Sequence, residues 1–180
     1  KGARSMKSPL RSSTTKLTYG TFYIKYNENK LSTLTNVDVK NLFRNLRLDI
    51  EKISYARYLF DLAEQVSARA DGDNIIDLLL RSITKINEGY NPIVITNILE
   101  LKFLDNLGVM PILDACSICG STKSIATLSS YKGGYLCNDC LKNEPIVSEK
   151  TIKLIRMFYY VDIDKITNIE ISSKIKQELN

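Results

Sequence analysis

The chain has no histidine at any of its 180 positions. That absence removes serine–histidine–carboxylate and cysteine–histidine catalysis, and every metal site that would use an imidazole. No apolar run approaches the ~18 residues a membrane-spanning helix needs, and no signal peptide is recognisable. A soluble, unexported, cytoplasmic protein is expected. A phosphate-cradling Gly-x-x-x-x-Gly-Lys-Ser/Thr is also missing, which removes a P-loop nucleotide site. Asp71-Gly72-Asp73-Asn74 superficially suggests a calcium loop, yet it lacks the later glycine and the bidentate glutamate and reads better as a helix boundary. Finally, the first sixteen residues contain no acid, although they carry Lys1, Arg4, Lys7, Arg11 and Lys16.

What is present describes a globular protein, with 44% hydrophobic and 25% charged residues. The length suits one ordinary domain with a small module, or two small domains. The formal net charge of +5 is unevenly spread. Residues 1–47 hold ten Lys or Arg against two acids, Glu28 and Asp38, whereas the rest holds fifteen bases and eighteen acids. Such polarisation fits a polyanion-binding end on an acidic body; a solvated flexible arm is the plainer alternative. The sequence opens at Lys1-Gly2-Ala3-Arg4 without a methionine and is read as a piece of a longer polypeptide.

Residues 1–16 show no periodicity and fit a loop or a mobile arm. The stretch Leu17–Tyr26 is dense in aromatic and β-branched residues and predicts a strand, with a turn at Asn27-Glu28-Asn29 and a returning strand from Lys30 to Val37. A lone hairpin is marginal and needs more sheet. From about Asp38 the period changes to that of a helix, with Leu48, Ile53, Ala56, Leu59, Phe60, Ala63 and Val66 as its apolar stripe. Asp73 or Asn74 is expected to cap a second helix bearing Ile75, Leu78, Leu79, Ile83 and Ile86. Pro92 opens a third, with Ile95, Ile98, Leu99, Leu101, Phe103 and Leu107 apolar and Gly108 just past its end. Ser148 is expected to cap a helix over Glu149–Tyr160, and Ile171–Leu179 forms a last, weaker one.

Cys116-x-x-Cys119, seventeen residues, then Cys137-x-x-Cys140 is metal-ligand spacing. A two-residue gap lets one tight turn aim two thiolates at one ion, and zinc takes four of them tetrahedrally. Gly120, Gly133 and Gly134 are expected to allow the turns of two such knuckles, with Ile125–Ser129 as one ribbon strand and Tyr131–Leu136 as part of another. Two disulfides, a redox-active cysteine pair and an iron–sulfur cluster are the alternatives; spacing and compartment favour zinc over each. Four thiolates leave no open position for water or substrate, so one structural zinc ion is expected.

Around the cysteines the chain reads Leu107-Gly108-Val109-Met110-Pro111-x-Leu113, then Cys116-x-x-Cys119-Gly120, then Gly133-Gly134-Tyr135-Leu136-Cys137-x-x-Cys140. This pattern closely resembles the bacterial RecO family of recombination mediators, and Lys1-Gly2-Ala3-Arg4 is similar to that family's basic signature. The resemblance covers essentially the whole chain. It implies an α+β fold class: the C-terminal part of a truncated N-terminal OB-type β-barrel over residues 1–40, a mainly α-helical domain over 41–111 that continues over 146–180, and an inserted four-cysteine zinc ribbon over 112–145. It further implies binding to single- and double-stranded DNA, annealing of complementary strands, and loading of RecA onto DNA coated with single-stranded-DNA-binding protein. The implied protein partners are RecR and the C-terminal tail of the single-strand-binding protein, with RecA served indirectly, in a nucleoid-associated setting and without catalysis.

The sequence departs from the family pattern at three places. Ser5 follows Arg4 where a second arginine is usual, Leu128-Ser129 replaces Phe-Ser, and the basic C-terminal end is not within the chain. The expected phosphate contacts are Lys1, Arg4, Lys7 and Arg11, with Lys16 weaker. Tyr19 and Tyr23 lie at strand spacing on a face with Lys25 and are candidates to stack on bases, although strand aromatics are more often core or rim residues of the sheet. Two rival functions stand beside the mediator. One is a zinc-ribbon accessory part of a DNA-processing enzyme; the other is an adaptor acting through proteins alone.

Overall fold

The structure is a computed structural model that describes residues 5–70 and 74–179. It divides between Leu48 and Asp49 into two compact units.

The first unit begins in a run of turns. Ser8 N–H donates to the Ser5 carbonyl, Arg11 N–H to that of Ser8, and both the amide and the hydroxyl of Thr14 to that of Leu10. The Arg47 guanidinium donates to the Thr15 and Thr18 hydroxyls at 2.8 and 3.2 Å, which ties this segment down. The segment expected as a loop or mobile arm is therefore a pinned, turn-rich loop. Strands β1 (Tyr19–Lys25) and β2 (Thr33–Asn41) pair antiparallel, Tyr19 opposite Asn41 and Lys25 opposite Thr33. Two register shifts leave Lys40 and Thr35 as extra residues in β2. Gly20 sits at one of them, where an added Cβ would lie 2.3 Å from the Asp38 carbonyl oxygen, so no larger residue fits. The turn closes as expected at Asn27, whose side chain accepts from Asn29 N–H at 3.1 Å.

The strand outlasts the change of period read at Asp38: the ladder holds through Asn41, because backbone pairing with β1 outweighs the side-chain pattern of three residues. One short helical turn, α1 (Arg44–Arg47), follows Phe43, which takes a left-handed backbone with φ 45°. The described residues of this unit form a two-stranded ladder and no closed barrel.

The second unit carries α2 (Ile50–Ser67), α3 (Ile75–Asn87), α4 (Pro92–Asn106), strands β3 (Ile112–Cys116), β4 (Ile125–Ser129) and β5 (Gly134–Cys137), then α5 (Glu149–Tyr160) and α6 (Ser173–Leu179). Asp49 caps α2 by accepting from Glu51 N–H and Lys52 N–H at 2.9 and 3.2 Å. Asn91 caps α4 ahead of Pro92, and Ser148 caps α5, as the sequence suggested for Pro92 and Ser148. Gly108 takes φ 71° just past α4. Helices α2, α3 and α4 pack on one another, and α5 packs on α4.

Helix α4 is the central element. Ile93, Val94, Ile95, Thr96, Ile98 and Leu99 are all buried, so its first half shows little surface to solvent on any side. The expected stripe captured only part of this, because a helix wrapped by neighbours has no polar side to set its phase. In α2 the buried stripe is narrower than expected: Leu48 lies before the helix and is 87% exposed, and Ile53 and Phe60 are also exposed, whereas Ala56, Leu59, Ala63 and Val66 are buried. Asn74 precedes α3 without a capping hydrogen bond; its side-chain oxygen accepts instead from Asn106 at 2.7 Å. Asp73 lies outside the described residues. Helix α6 starts at Ser173, two residues later than expected, although Ile171 is buried as well as Ile175.

The small sheet has the order β3-β5-β4, with β3 parallel and β4 antiparallel to β5. Sequence reading missed β3 and began the β5 strand at Tyr131, where the chain is still turning. Gly133 supplies φ 67° at that turn. Gly134 lets β3 approach: a Cβ there would fall 2.4 Å from the Ile112 carbonyl oxygen. The two glycines thus serve the hairpin and the strand crossing rather than a cysteine knuckle. Leu113 and Tyr135 of the sheet form one apolar cluster with Ile152 and Ile155 of α5, and the Tyr135 hydroxyl donates to the Ile152 carbonyl at 2.5 Å.

Candidate metal centre and nucleic-acid face

Cys116 ends β3 and Cys137 ends β5, so strand pairing alone brings one residue of each cysteine pair together. The first pair turns tightly: Gly120 N–H donates to the Cys116 carbonyl at 2.9 Å with Gly120 at φ 74°, and Cys116 N–H donates to the Ser121 carbonyl at 2.8 Å. The second pair turns in the same way, with Cys140 N–H and Leu141 N–H both donating to the Cys137 carbonyl. As a result the four sulfurs lie within 4.8 Å of one another, and Cys119 Sγ is 3.6 Å from Cys137 Sγ. A disulfide would require ~2.05 Å, so none of the cysteines is paired. Tetrahedral zinc with ~2.3 Å bonds sets sulfurs ~3.8 Å apart, which matches this donor set.

The electrostatics agree with a cation site. Burial pushes the Cys116 thiol up, but backbone hydrogen bonds from Cys119, Cys137 and Ile118 overrule it and bring it down to about 6. Cys140 is pushed up to about 12, first by its hydrogen bond with Cys119, then by burial and the other two sulfurs. One thiolate is easy to make here and the next ones are costly, until a positive ion removes the mutual repulsion. Cys116 and Cys137 are buried, Cys140 is half-buried and Cys119 is exposed. Asp114, two residues before Cys116, clamps the sheet to α5. It accepts from Arg156 at 2.8 and 2.6 Å and from the Tyr160 hydroxyl at 2.8 Å, and Arg156 and Tyr160 hold its carboxyl below the usual range. This clamp joins residues more than forty positions apart and left no signal in the sequence.

On the first unit, Lys7, Arg11 and Lys16 are exposed; Lys1 and Arg4 lie outside the described residues. The ion pairs of the described residues all fall between Asp49 and Glu178, so the cations of 5–48 are not neutralised by any carboxylate among the described residues. Asp38, the sole acid of this unit's ladder, accepts from the Tyr23 hydroxyl at 2.7 Å and from Asn36 at 3.2 Å. That hydrogen bond raises the Tyr23 hydroxyl above its ordinary pKa and fixes a ring that is 46% exposed. Tyr19 is 37% exposed, and its ring already carries the Lys40 ammonium 5.6 Å from the ring centre. Lys25, expected beside the two tyrosines, is exposed, and Lys30, Lys40 and Arg44 are further exposed cations that the motif-led reading passed over; the charge asymmetry of residues 1–47 was the signal for them.

A family model described as Recombination protein O C terminal matches residues 47–180. A DNA repair protein RecO of Listeria monocytogenes serotype 4b (strain CLIP80459) is 31% identical over 99% of this chain and 71% of its own length. The DNA repair protein RecO of Halalkalibacterium halodurans is 32% identical over 99% of this chain and 72% of its own, and that of Bacillus pumilus 28% identical over 99% and 71%. The family model takes in the helices and the cysteine knuckles, the similarity to the relatives extends over 99% of the chain, and the chain belongs to the RecO family.

Proposed function

We propose that this chain is a non-catalytic, DNA-binding mediator of recombinational repair. The observation that carries the reading is the charge of residues 5–48, whose exposed cations meet no carboxylate partner among the described residues, in a chain whose relatives are named DNA repair proteins. Lys and Arg bind DNA chiefly by displacing counterions from phosphates, without regard to sequence. Lys1, Arg4, Lys7 and Arg11 are the proposed phosphate contacts. The exposed rings of Tyr19 and Tyr23 are proposed to stack on bases, and Tyr23 is the better candidate because no cation among the described residues covers its ring. The hairpin of the first unit is assigned to an oligonucleotide-binding barrel.

One zinc ion on Cys116, Cys119, Cys137 and Cys140 supplies a crosslink for the small sheet and performs no chemistry, since four thiolates leave it no open position. Cysteine turns hold the ion, and the Asp114–Arg156 clamp transmits that rigidity to α5. Two strands held on one basic surface repel each other less, which favours annealing. The helical unit is assigned to protein partners: RecR, the C-terminal tail of the single-strand-binding protein, and through them RecA loading. Fluorescence-monitored annealing of complementary strands, with and without single-strand-binding protein and with magnesium present, tests this. Annealing faster than in buffer with every strand left uncut is expected. Strand cleavage, or no acceleration, contradicts it.

A further inference from the structure

An open cleft of about 470 Å³ lies between α2 and α4. Helix α2 contributes Tyr55 and Tyr58, α4 contributes Ile93 and Glu100, and Leu179 of α6 completes the wall. The volume is that of a small-ligand or side-chain pocket. Glu100 is half-buried and accepts from the Tyr58 hydroxyl at 2.5 Å, which pushes Tyr58 up to about 12 and keeps it a donor. Burial, then the charges of Glu51 and Glu100, raises Tyr55 as well. The cleft is therefore lined by two phenol rings and stands in the field of two carboxylates.

No cation of the described residues answers those carboxylates. Neither Glu51 nor Glu100 forms an ion pair, and the nearby α2 cations Lys52 and Arg57 are paired with Asp49 and Asp61. Two uncharged groups are unanswered too. Thr96 is 5% exposed and its hydroxyl has no hydrogen-bond partner among the described residues. Asn97 donates its amide nitrogen to the Ile93 carbonyl at 2.9 Å, and its side-chain oxygen is without a partner among the described residues. A buried hydroxyl left unsatisfied costs free energy, and Thr96 belongs to the lining of the cleft.

A half-buried carboxylate beside aromatic rings, with apolar surface next to it, recognises an alkyl cation. The stem lies along Ile93 and Leu179, and the charged head meets Glu100 and a ring face. A guanidinium suits this better than an ammonium, because it is planar, stacks on phenol rings and binds a carboxylate with a two-pronged fork. An acidic segment would meet like charge at Glu51 and Glu100. We propose that the α2–α4 cleft receives an arginine side chain from a basic segment of a partner protein, with Glu100 pairing the guanidinium and Tyr55 and Tyr58 framing it.

The test is titration of the full, isotope-labelled chain with the peptide acetyl-Gly-Arg-Gly-amide, following backbone amide signals. Peptides with lysine, norleucine or glutamate at the centre, and spermidine, are run in parallel. Saturable shifts at Tyr58, Thr96 and Glu100 are expected with the arginine peptide, weaker ones with lysine, and none with norleucine or glutamate. Glu100→Gln is expected to weaken arginine binding about tenfold, the size of one lost charge-assisted fork, while leaving the remaining signals in place. Tyr58→Phe keeps the ring and should lose less. Equal binding of the norleucine peptide, spermidine binding at these residues as tightly as arginine, or no saturable shift at any of the three would overturn the proposal.

Discussion

At the scale of the residue, Cys137 and Glu100 make opposite cases. Cys137 closes β5 with its sulfur 3.6 Å from that of Cys119, and its place among four ligands was legible because each pair is set by a two-residue turn, a local property of the chain. Glu100 meets Tyr58 across 42 positions, and nothing in either residue's neighbours announces the pair. The same holds for Asp114 and Arg156. Tyr19 and Tyr23 fall between these cases. Their strand was readable, but the Lys40 and Asp38 side chains that engage them lie on the partner strand. Cys137→Ser is expected to lower bound zinc from about one equivalent per chain to a small residue, since a site with three thiolates is open to water and chelators. Metal analysis after dialysis against a chelator reads this directly; full zinc retention would mean that Cys137 is not a ligand.

At the scale of the element, helices with strong ends were the readable ones. Ser148 before α5 and Asn91-Pro92 before α4 cap in the places their residue types prescribe. Strand β3 was hidden, because Ile112–Cys116 is held by a partner twenty residues on, and its Pro111-x-Leu113 opening reads as the tail of a helix. Gly134 is the residue that makes β3 possible. Gly134→Ala would drive a methyl group to 2.4 Å from the Ile112 carbonyl oxygen, and is expected to cost about 1–3 kcal/mol of stability as the parallel pairing spreads. Gly133→Ala meets open space but must hold φ 67°, at a cost of about 1 kcal/mol. Chemical denaturation of the zinc-loaded chain should therefore rank Gly134→Ala as the more damaging of the two, and the reverse order would argue against strand approach as the reason for Gly134.

At the scale of the whole molecule, the division of charge is the property that links structure to function. Among the described residues every ion pair lies in the second unit, such as Arg81 with Asp77 and Asp164, whereas the exposed cations of residues 5–48 have no carboxylate partner. This asymmetry could be counted from the sequence, but which carboxylates had already found partners could not. Fluorescence anisotropy of labelled single-stranded DNA across a salt series, comparing the unaltered chain with the Lys1, Arg4, Lys7 and Arg11 to Ala variant at equal zinc content, measures the consequence. With ~5 phosphate contacts the unaltered chain should give a slope of about −3.5 in log K against log salt, and the variant a weaker affinity with a slope of about −0.7. An unchanged affinity and slope in the variant would contradict the assignment of DNA binding to the basic end.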